Sequence, residues 1–388
     1  MSGFGFPTLA LLVLVGLAGP LLVDVPGLRI PVIIGELVAG IVVGRTGFDI
    51  VDTTDPTFTL LANVGFALVM FVVGTHVPVR DTSLPAGLPK AVLRAVLVGV
   101  VAAALAVVLA RVFGTGHAAL YAVLMASSSA AVALPIIDEL KLEGPPVLSV
   151  KAQIAIADAA SIVLLPLVID PTRAPRAALG AVAIAACAGV LFLVLRYFDR
   201  RGTGKRMHEY SKQQQLALEL RISLLVLFTL AAVATSTHVS IMLAGFAFGL
   251  VVNGIGEPRR LARQLLGITE GFFAPLFFVW LGASLQVRDL GEHPAFIGLG
   301  VGLGLGAVLA HWVGRLLGQP LALGTMAAAQ LGVPVAAATL GTQLKLLSPG
   351  EPSALILGAL VTIAATSAAG VLAKRGESAD TSPTTPIT

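Results

Sequence analysis

The chain is built almost entirely from apolar runs of about 17 to 25 residues separated by short charged or Pro/Gly-rich breaks, the length at which an α-helix crosses a hydrocarbon core of about 30 Å. The runs lack the two-residue alternation of a membrane barrel, so in lipid their backbone can be satisfied only as helix. Thirteen spans are expected, at about 7–24, 30–45, 57–75, 90–112, 117–137, 148–169, 176–198, 216–235, 239–253, 270–286, 295–317, 320–342 and 353–374. Charged residues make up 12% of the chain and the mean hydropathy is +0.95, whereas an average soluble domain has about 25% charged residues. A water-soluble fold is excluded, and the expected class is an all-α polytopic membrane protein.

The first run lacks a basic leader and an evident small-residue cleavage site, and reads as a retained span rather than a signal peptide. The single cysteine, Cys187, lies inside an apolar run and reads as packing. A net charge of +4 is spread over many loops, which reports orientation in the bilayer rather than a nucleic-acid partner. With thirteen spans, one set of loops holds 19 of the 25 basic residues, and the other holds Arg45, Arg111, Arg173, Arg176, Arg288 and Lys345. The N-terminus is therefore expected outside and the C-terminus in the cytoplasm, across the cell inner (plasma) membrane. The basic stretch RYFDRRGTGKRMHEYSK at 196–212 is first an orientation signal, with anionic-lipid binding as the sharper alternative.

Four motifs recur in order before and after that stretch. Ala39-Gly40 followed by Gly44 matches Ala244-Gly245 followed by Gly249; Gly74 ahead of Val79-Arg80-Asp81 matches Gly282 ahead of Val287-Arg288-Asp289; VLARVFG matches VLAHWVG; and ELKL at 139–142 matches QLKL at 343–346. The offsets are 205, 208, 200 and 204 residues, too constant for chance apolar matches. The chain is expected to comprise a first six-helix repeat with a seventh connecting span over 1–199, a basic linker over 200–215, a second repeat over 216–376 and a disordered tail over 377–388. Seven crossings separate paired spans, so the repeats should be inverted. Folds of this kind bind substrate near the midplane, where spans are interrupted. The candidates are the fifth span, with Ser127-Ser128-Ser129 ahead of Pro135, and the twelfth, with Gly332-Val333-Pro334. Serine hydroxyls can cap freed amides, and Pro and Gly weaken continuous helix; the alternative is that small residues merely permit close packing.

A charge at the bilayer centre costs at least about 2.5–3.5 kcal/mol on insertion scales, so each needs a reason. Asp158, about ten residues into the sixth span, is the main candidate for exchanging a proton against a cation. Gln153 and Ser161 share its helix, and Ser161 is expected on its face as a donor to the carboxylate. Arg315, near the end of the eleventh span, is a permanent cation beside the core or a snorkelling residue. His311, one turn earlier, is a titrating group or hydrogen-bonded packing. Glu36, in the first third of the second span, reads as a structural hydrogen bond or an ion-entry group.

In their order, IPVIIGELVAGIVVG, LANVGFALVMFVVG and GFFAPLFFVWLGASL resemble the second-span, third-span and Phe-rich signatures of the monovalent cation:proton antiporter-2 family, which includes sodium/proton exchangers and Kef-type potassium/proton systems. The resemblance spans nearly all 388 residues. It implies the sodium/proton antiporter fold and a homodimer, with a panel of spans 1–3 and 8–10 and a core of spans 4–6 and 11–13 that moves as an elevator. No cofactor is implied beyond the transported H+ and Na+ or K+. The family's ion-binding aspartate maps to Asp158, the unwound fifth span to Ser127, Ser128 and Ser129, and the basic residue of the eleventh span to Arg315 through Gly314-Arg315-Leu316-Leu317-Gly318. Two departures bear on chemistry. The residue before Asp158, an acid or glutamine in relatives, is Ala157, and the Arg-Gly-Glu of the twelfth span is replaced around Gln330-Leu331-Gly332. A lone carboxylate holds a proton or a cation, not both, which implies electroneutral one-for-one exchange. A Kef-like potassium pathway, another small solute and a transport-dead sensor stay open. Neither a Gly-x-Gly-Asp protease motif nor a His-Glu-x-x-His zinc motif occurs, so no enzyme is expected.

Overall fold

A computed structural model describes residues 4–23, 32–76, 84–169, 174–200, 218–237, 239, 241–256, 265–285 and 288–380. Among these every regular element is helical: α1 (Phe6–Gly16), α2 (Ala18–Val23), α3 (Val32–Val43), α4 (Pro56–His76), α5 (Leu84–Phe113), α6 (Ala118–Ala126), α7 (Ala130–Glu139), α8 (Pro145–Ile169), α9 (Ala174–Arg200), α10 (Leu218–Ser236), α11 (Ile241–Ile255), a π-turn (Thr269–Phe273), α12 (Ala274–Ser284), α13 (Asp289–Glu292), α14 (Ala295–Trp312), a 3-10 turn (Val313–Leu317), α15 (Leu321–Ala327), α16 (Gly332–Gln343) and α17 (Glu351–Asp380). Among the described residues nine helical segments are long and apolar enough to cross a membrane, counting α6 with α7 and α15 with α16.

Departures from the expected spans have local causes. Pro275 lacks an N–H and its ring crowds the carbonyl four residues back, and the helix ahead of it widens into the π-turn Thr269–Phe273. The span after Ala295 tightens into a 3-10 turn closed by Gly318 at φ 76°. The last helix runs to Asp380, so the first residues of the expected disordered tail are helical; the rest of that tail, and the linker beyond Arg200, lie outside the described residues.

The chain divides into two compact units, one of residues 1–81 and 162–292, the other of 82–161 and 293–388, with the division falling inside α8. In the first unit two helix crossings are built on one plan. Gly40 and Gly44 of α3 meet Val279, Gly282 and Ala283 of α12, while Gly245 and Gly249 of α11 meet Ala67, Phe71 and Gly74 of α4. A Cβ at Gly40, Gly44, Gly245 or Gly249 would overlap the facing backbone, so these glycines set the closeness of approach. The Ala-Gly-x-x-x-Gly of each sequence half thus packs on the lone glycine of the other half. Stacked Phe66 and Phe277 (4.4 Å) and tilted Phe71 and Phe248 (5.0 Å) fill the space beside these crossings.

In the second unit the ELKL and QLKL matches prove to be the same helix end. Lys141 and Lys345 are left-handed, at φ 53° and 54°. Leu142 N–H returns to Ile137 O at 3.1 Å and Leu346 N–H to Gly341 O at 2.8 Å, the closing bond of a Schellman cap. Each partner lies 204 residues from its counterpart, so the two matched sequences share their backbone geometry as well.

Candidate ion-binding site

Every residue of the candidate site belongs to the second unit. Helix α6 stops at Ala126 because Ser127 turns extended (φ −70°, ψ 152°) and folds both its amide (3.0 Å) and its hydroxyl (2.7 Å) back onto Leu124 O. Ser128 donates its hydroxyl to Ala327 O at 2.6 Å, and Ser129 donates its amide to Ala329 O at 2.6 Å. Helix α15 ends at Ala327, and α16 resumes only at Gly332. The first expected interruption lies at Ser127–Ser129, the second falls at 328–331, just ahead of the expected Gly332-Val333-Pro334, which open α16, and the two meet each other.

Where α7 resumes, the Ala130 amide donates to Asp158 Oδ2 at 3.0 Å. The first amides of a helix have no intrahelical acceptor and carry the positive end of its dipole; here one of them is matched to the carboxylate. Asp158 is 4% exposed. Among the described residues no hydrogen bond reaches its Oδ1 or the Ser129 Oγ. The second break is held in a parallel way: Gln330 N–H donates to Thr362 Oγ1 at 3.0 Å, and Thr362 donates to Ala359 O at 2.7 Å. Thr362 lies 204 residues after Asp158, the offset of the Schellman caps. Gln330 also donates its side-chain Nε2 to Leu124 O at 2.6 Å, capping the carbonyl end of α6.

The structure treats the expected site residues differently. Ser127, Ser128, Ser129, Asp158 and Gln330 converge at the breaks. Ser161 corrects its expectation: its hydroxyl donates to the backbone O of Asp158 at 2.9 Å, not to the carboxylate, because a serine inside a helix reaches the carbonyl of the preceding turn. His311 is buried, with Nδ1 2.9 Å from Ala307 O and Nε2 3.5 Å from Ser128 Oγ. That separation is long for a hydrogen bond. Gln153 is buried and accepts from Gln319 Nε2 at 3.1 Å. Arg315 is exposed on the 3-10 turn, so the core-cation alternative fails for it. The turn aims its side chain outward. Glu36 is buried in the other unit, against Gly19. Among the described residues no group of three or more His, Cys, Asp or Glu is arranged to hold a metal ion.

Three residues of this region escaped sequence reasoning. Thr362 and Thr366, the latter 3.3 Å from Thr325 O, are neutral side chains in an apolar helix; only the repeat offset signals Thr362. Arg94, 4% exposed, is the buried Lys or Arg of this unit among the described residues.

The pattern of the transmembrane sodium/hydrogen exchanger family matches residues 9–374. The chain belongs to that family. The match is to the exchanger family as a whole and does not single out its antiporter-2 or Kef-type branches. Among relatives, the chain is 24% identical to the putative Na(+)/H(+) antiporter YjbQ of Bacillus subtilis over 93% of its own length and 62% of that protein's. It is 24% identical to the probable Na(+)/H(+) antiporter 3 of Methanocaldococcus jannaschii, over 67% of each chain. It therefore spans about three fifths of the Bacillus relative. Among solved structures, the sodium proton antiporter MjNhaP1 from Methanocaldococcus jannaschii shares the fold: at pH 8 the TM-score is 0.63 with 17% identity, over 95% of this chain and 96% of that one. An electron-microscopy structure of the same antiporter gives a TM-score of 0.69 with 16% identity, over 97% and 99%.

Proposed function

We propose that this exchanger carries a monovalent cation against protons across the membrane, with Asp158 as the group that holds one or the other. The observation that carries the reading is the Ala130 amide on Asp158 Oδ2 at the meeting of two broken helices. The amide and the α7 dipole favour the ionised carboxylate, while Oδ1 and Ser129 Oγ supply hard oxygens to a cation. A proton arriving at Oδ1 removes the charge that holds the cation, and a cation arriving displaces the proton. With Ala157 beside it, Asp158 exchanges one for one, and transport is electroneutral. The relatives, named as Na(+)/H(+) antiporters, favour sodium over potassium.

The same reading makes the second unit the moving carriage of an elevator, supported by the confinement of the candidate ion-binding residues to one compact unit. It takes the two halves as inverted repeats, supported by the exchanged glycine crossings and the duplicated Schellman caps. A homodimer in the plasma membrane, with the N-terminus outside, completes it. The test is pH-gradient dequenching in proteoliposomes with sodium or potassium added, for wild type and Asp158→Asn. Cation-dependent dequenching in the wild type and its loss in the variant are expected. No response of the wild type to either cation would refute exchange, and a membrane potential generated in proportion to flux would refute electroneutrality.

A further inference from the structure

Arg94 stands on α5, 4% exposed, on the buried face with Ala91 and Val98, while valines such as Val96, Val100 and Val107 turn outward. Its Nη1 donates to Ser149 Oγ at 2.9 Å, on the helix that carries Asp158, and its Nη2 donates to Leu317 O at 3.0 Å, the last residue of the 3-10 turn. A cation on a carbonyl end suits the helix dipole. One turn along α8 from Ser149, on the same face, Gln153 accepts from Gln319 Nε2 at 3.1 Å, and Gln319 is two residues beyond Leu317. The contacts close into a ring: Arg94 to Ser149, along α8 to Gln153, across to Gln319, along the chain to Leu317 and back to Arg94.

This ring fixes two elements on which the ion site depends. One is α8, which places Asp158 nine residues after Ser149. The other is α15, which starts two residues after Gln319 and ends on the Ala327 carbonyl that accepts Ser128. The ring is also left unsaturated: Arg94 Nε, Gln153 Nε2 and Gln319 Oε1 are buried without partners among the described residues. Other charges on the packed elements lie outside the ring: Lys90 and Arg315 are exposed, and Lys151 pairs with Asp138 at 2.6 Å.

We propose that Arg94 is a positioning residue for cation–proton exchange, setting the register of α8 against the 3-10 turn and α15 and so the place of Asp158 beside the breaks. The proposal rests on the exchange reading above. Its test compares wild type, Arg94→Gln, Arg94→Lys, Ser149→Ala and, as a control, Arg111→Gln, an exposed cation at the other end of α5. Sodium-dependent exchange in proteoliposomes is measured over pH and cation concentration, and melting curves identify folded variants. Arg94→Gln should raise the apparent KM for sodium roughly tenfold, and Ser149→Ala roughly threefold, each with a displaced pH profile. Arg94→Lys, which keeps the charge but not the fork, should fall between wild type and Arg94→Gln, and Arg111→Gln should match wild type. If Arg94→Gln fails to fold, Ser149→Ala and Arg94→Lys decide. Folded variants with wild-type KM and pH profile, or losing only maximal rate in step with folded protein, would overturn the proposal. A wild type inert to cation sinks the exchange reading instead, a result distinct from these.

Discussion

Replacing Thr362 with valine isolates one hydrogen bond of the second break. The Thr362 hydroxyl accepts the Gln330 amide at 3.0 Å, and the two residues are 0% and 3% exposed, so water cannot substitute. Valine keeps the branched shape but leaves a buried N–H without an acceptor, at a cost of about 1–3 kcal/mol. The carbonyl of Ala359, which also takes the hydroxyl proton, loses little because it lies inside a helix. At about 2–4 °C per kcal/mol for domains of 150–250 residues, the variant should melt about 2–12 °C below wild type in detergent. Thr362→Ser keeps the hydroxyl and should lose less. Because Gln330 also caps Leu124 O, loosening residues 328–331 should weaken cation dependence as well as stability. A valine variant that melts at the wild-type temperature, or no lower than the serine variant, would refute the assignment of this hydroxyl as the clasp of the break.

Other outcomes follow from separate contacts. Asp158→Glu moves the carboxylate about 1.5 Å along an added methylene and off the Ala130 amide, so exchange below saturation should fall at least about tenfold, read by the same dequenching assay. Glu351→Gln removes a fully buried carboxylate that accepts from Tyr121 OH at 2.6 Å and Ser348 N at 2.9 Å and lies 2.7 Å from His117 Nδ1; a loss of about 1.5–3 kcal/mol should appear as a lower melting temperature. Gly249→Ala drives a Cβ into the Phe71 carbonyl and Gly74, and should cost about 1–3 kcal/mol or more, seen as loss of the monodisperse gel-filtration peak. Arg315→Gln, at an exposed position, should change stability by less than about 0.5 kcal/mol.

The breaks were legible in sequence because Ser127, Ser128 and Ser129 interrupt an otherwise apolar run and Gly332 and Pro334, which open α16, mark the second break just ahead of them, residues whose backbone chemistry carries its own signal. Asp158 was legible because a carboxyl in the middle of an apolar helix is too costly to stand there without a task. Arg94 was not. An arginine near the end of a long apolar run looks like a snorkelling side chain, and only the backbone path that brings Ser149 and Leu317 to it makes it interior. Arg315 misled for the converse reason: its glycine-flanked pattern suggests a core cation, but the 3-10 turn rotates the helix face just before it. Ser161 has the right spacing from Asp158, yet its hydroxyl finds the nearer carbonyl. Thr362 and Thr366 leave no mark on hydropathy.

Asp158 and Thr362 stand at the same offset as the two Schellman caps, and each accepts a backbone amide at a break, from Ala130 and Gln330 respectively. Amide capture thus recurs at this offset with the same geometry but not the same charge. A neutral hydroxyl suffices to hold the backbone, as Thr362 does, so the carboxylate at Asp158 is more than the capture of one amide requires. A buried ion is far more costly than a buried hydroxyl, and a residue kept only to cap a helix start would not need to be one. The surplus falls on Oδ1, the oxygen without a protein partner among the described residues, and that is where the proton and the cation of the proposed exchange compete.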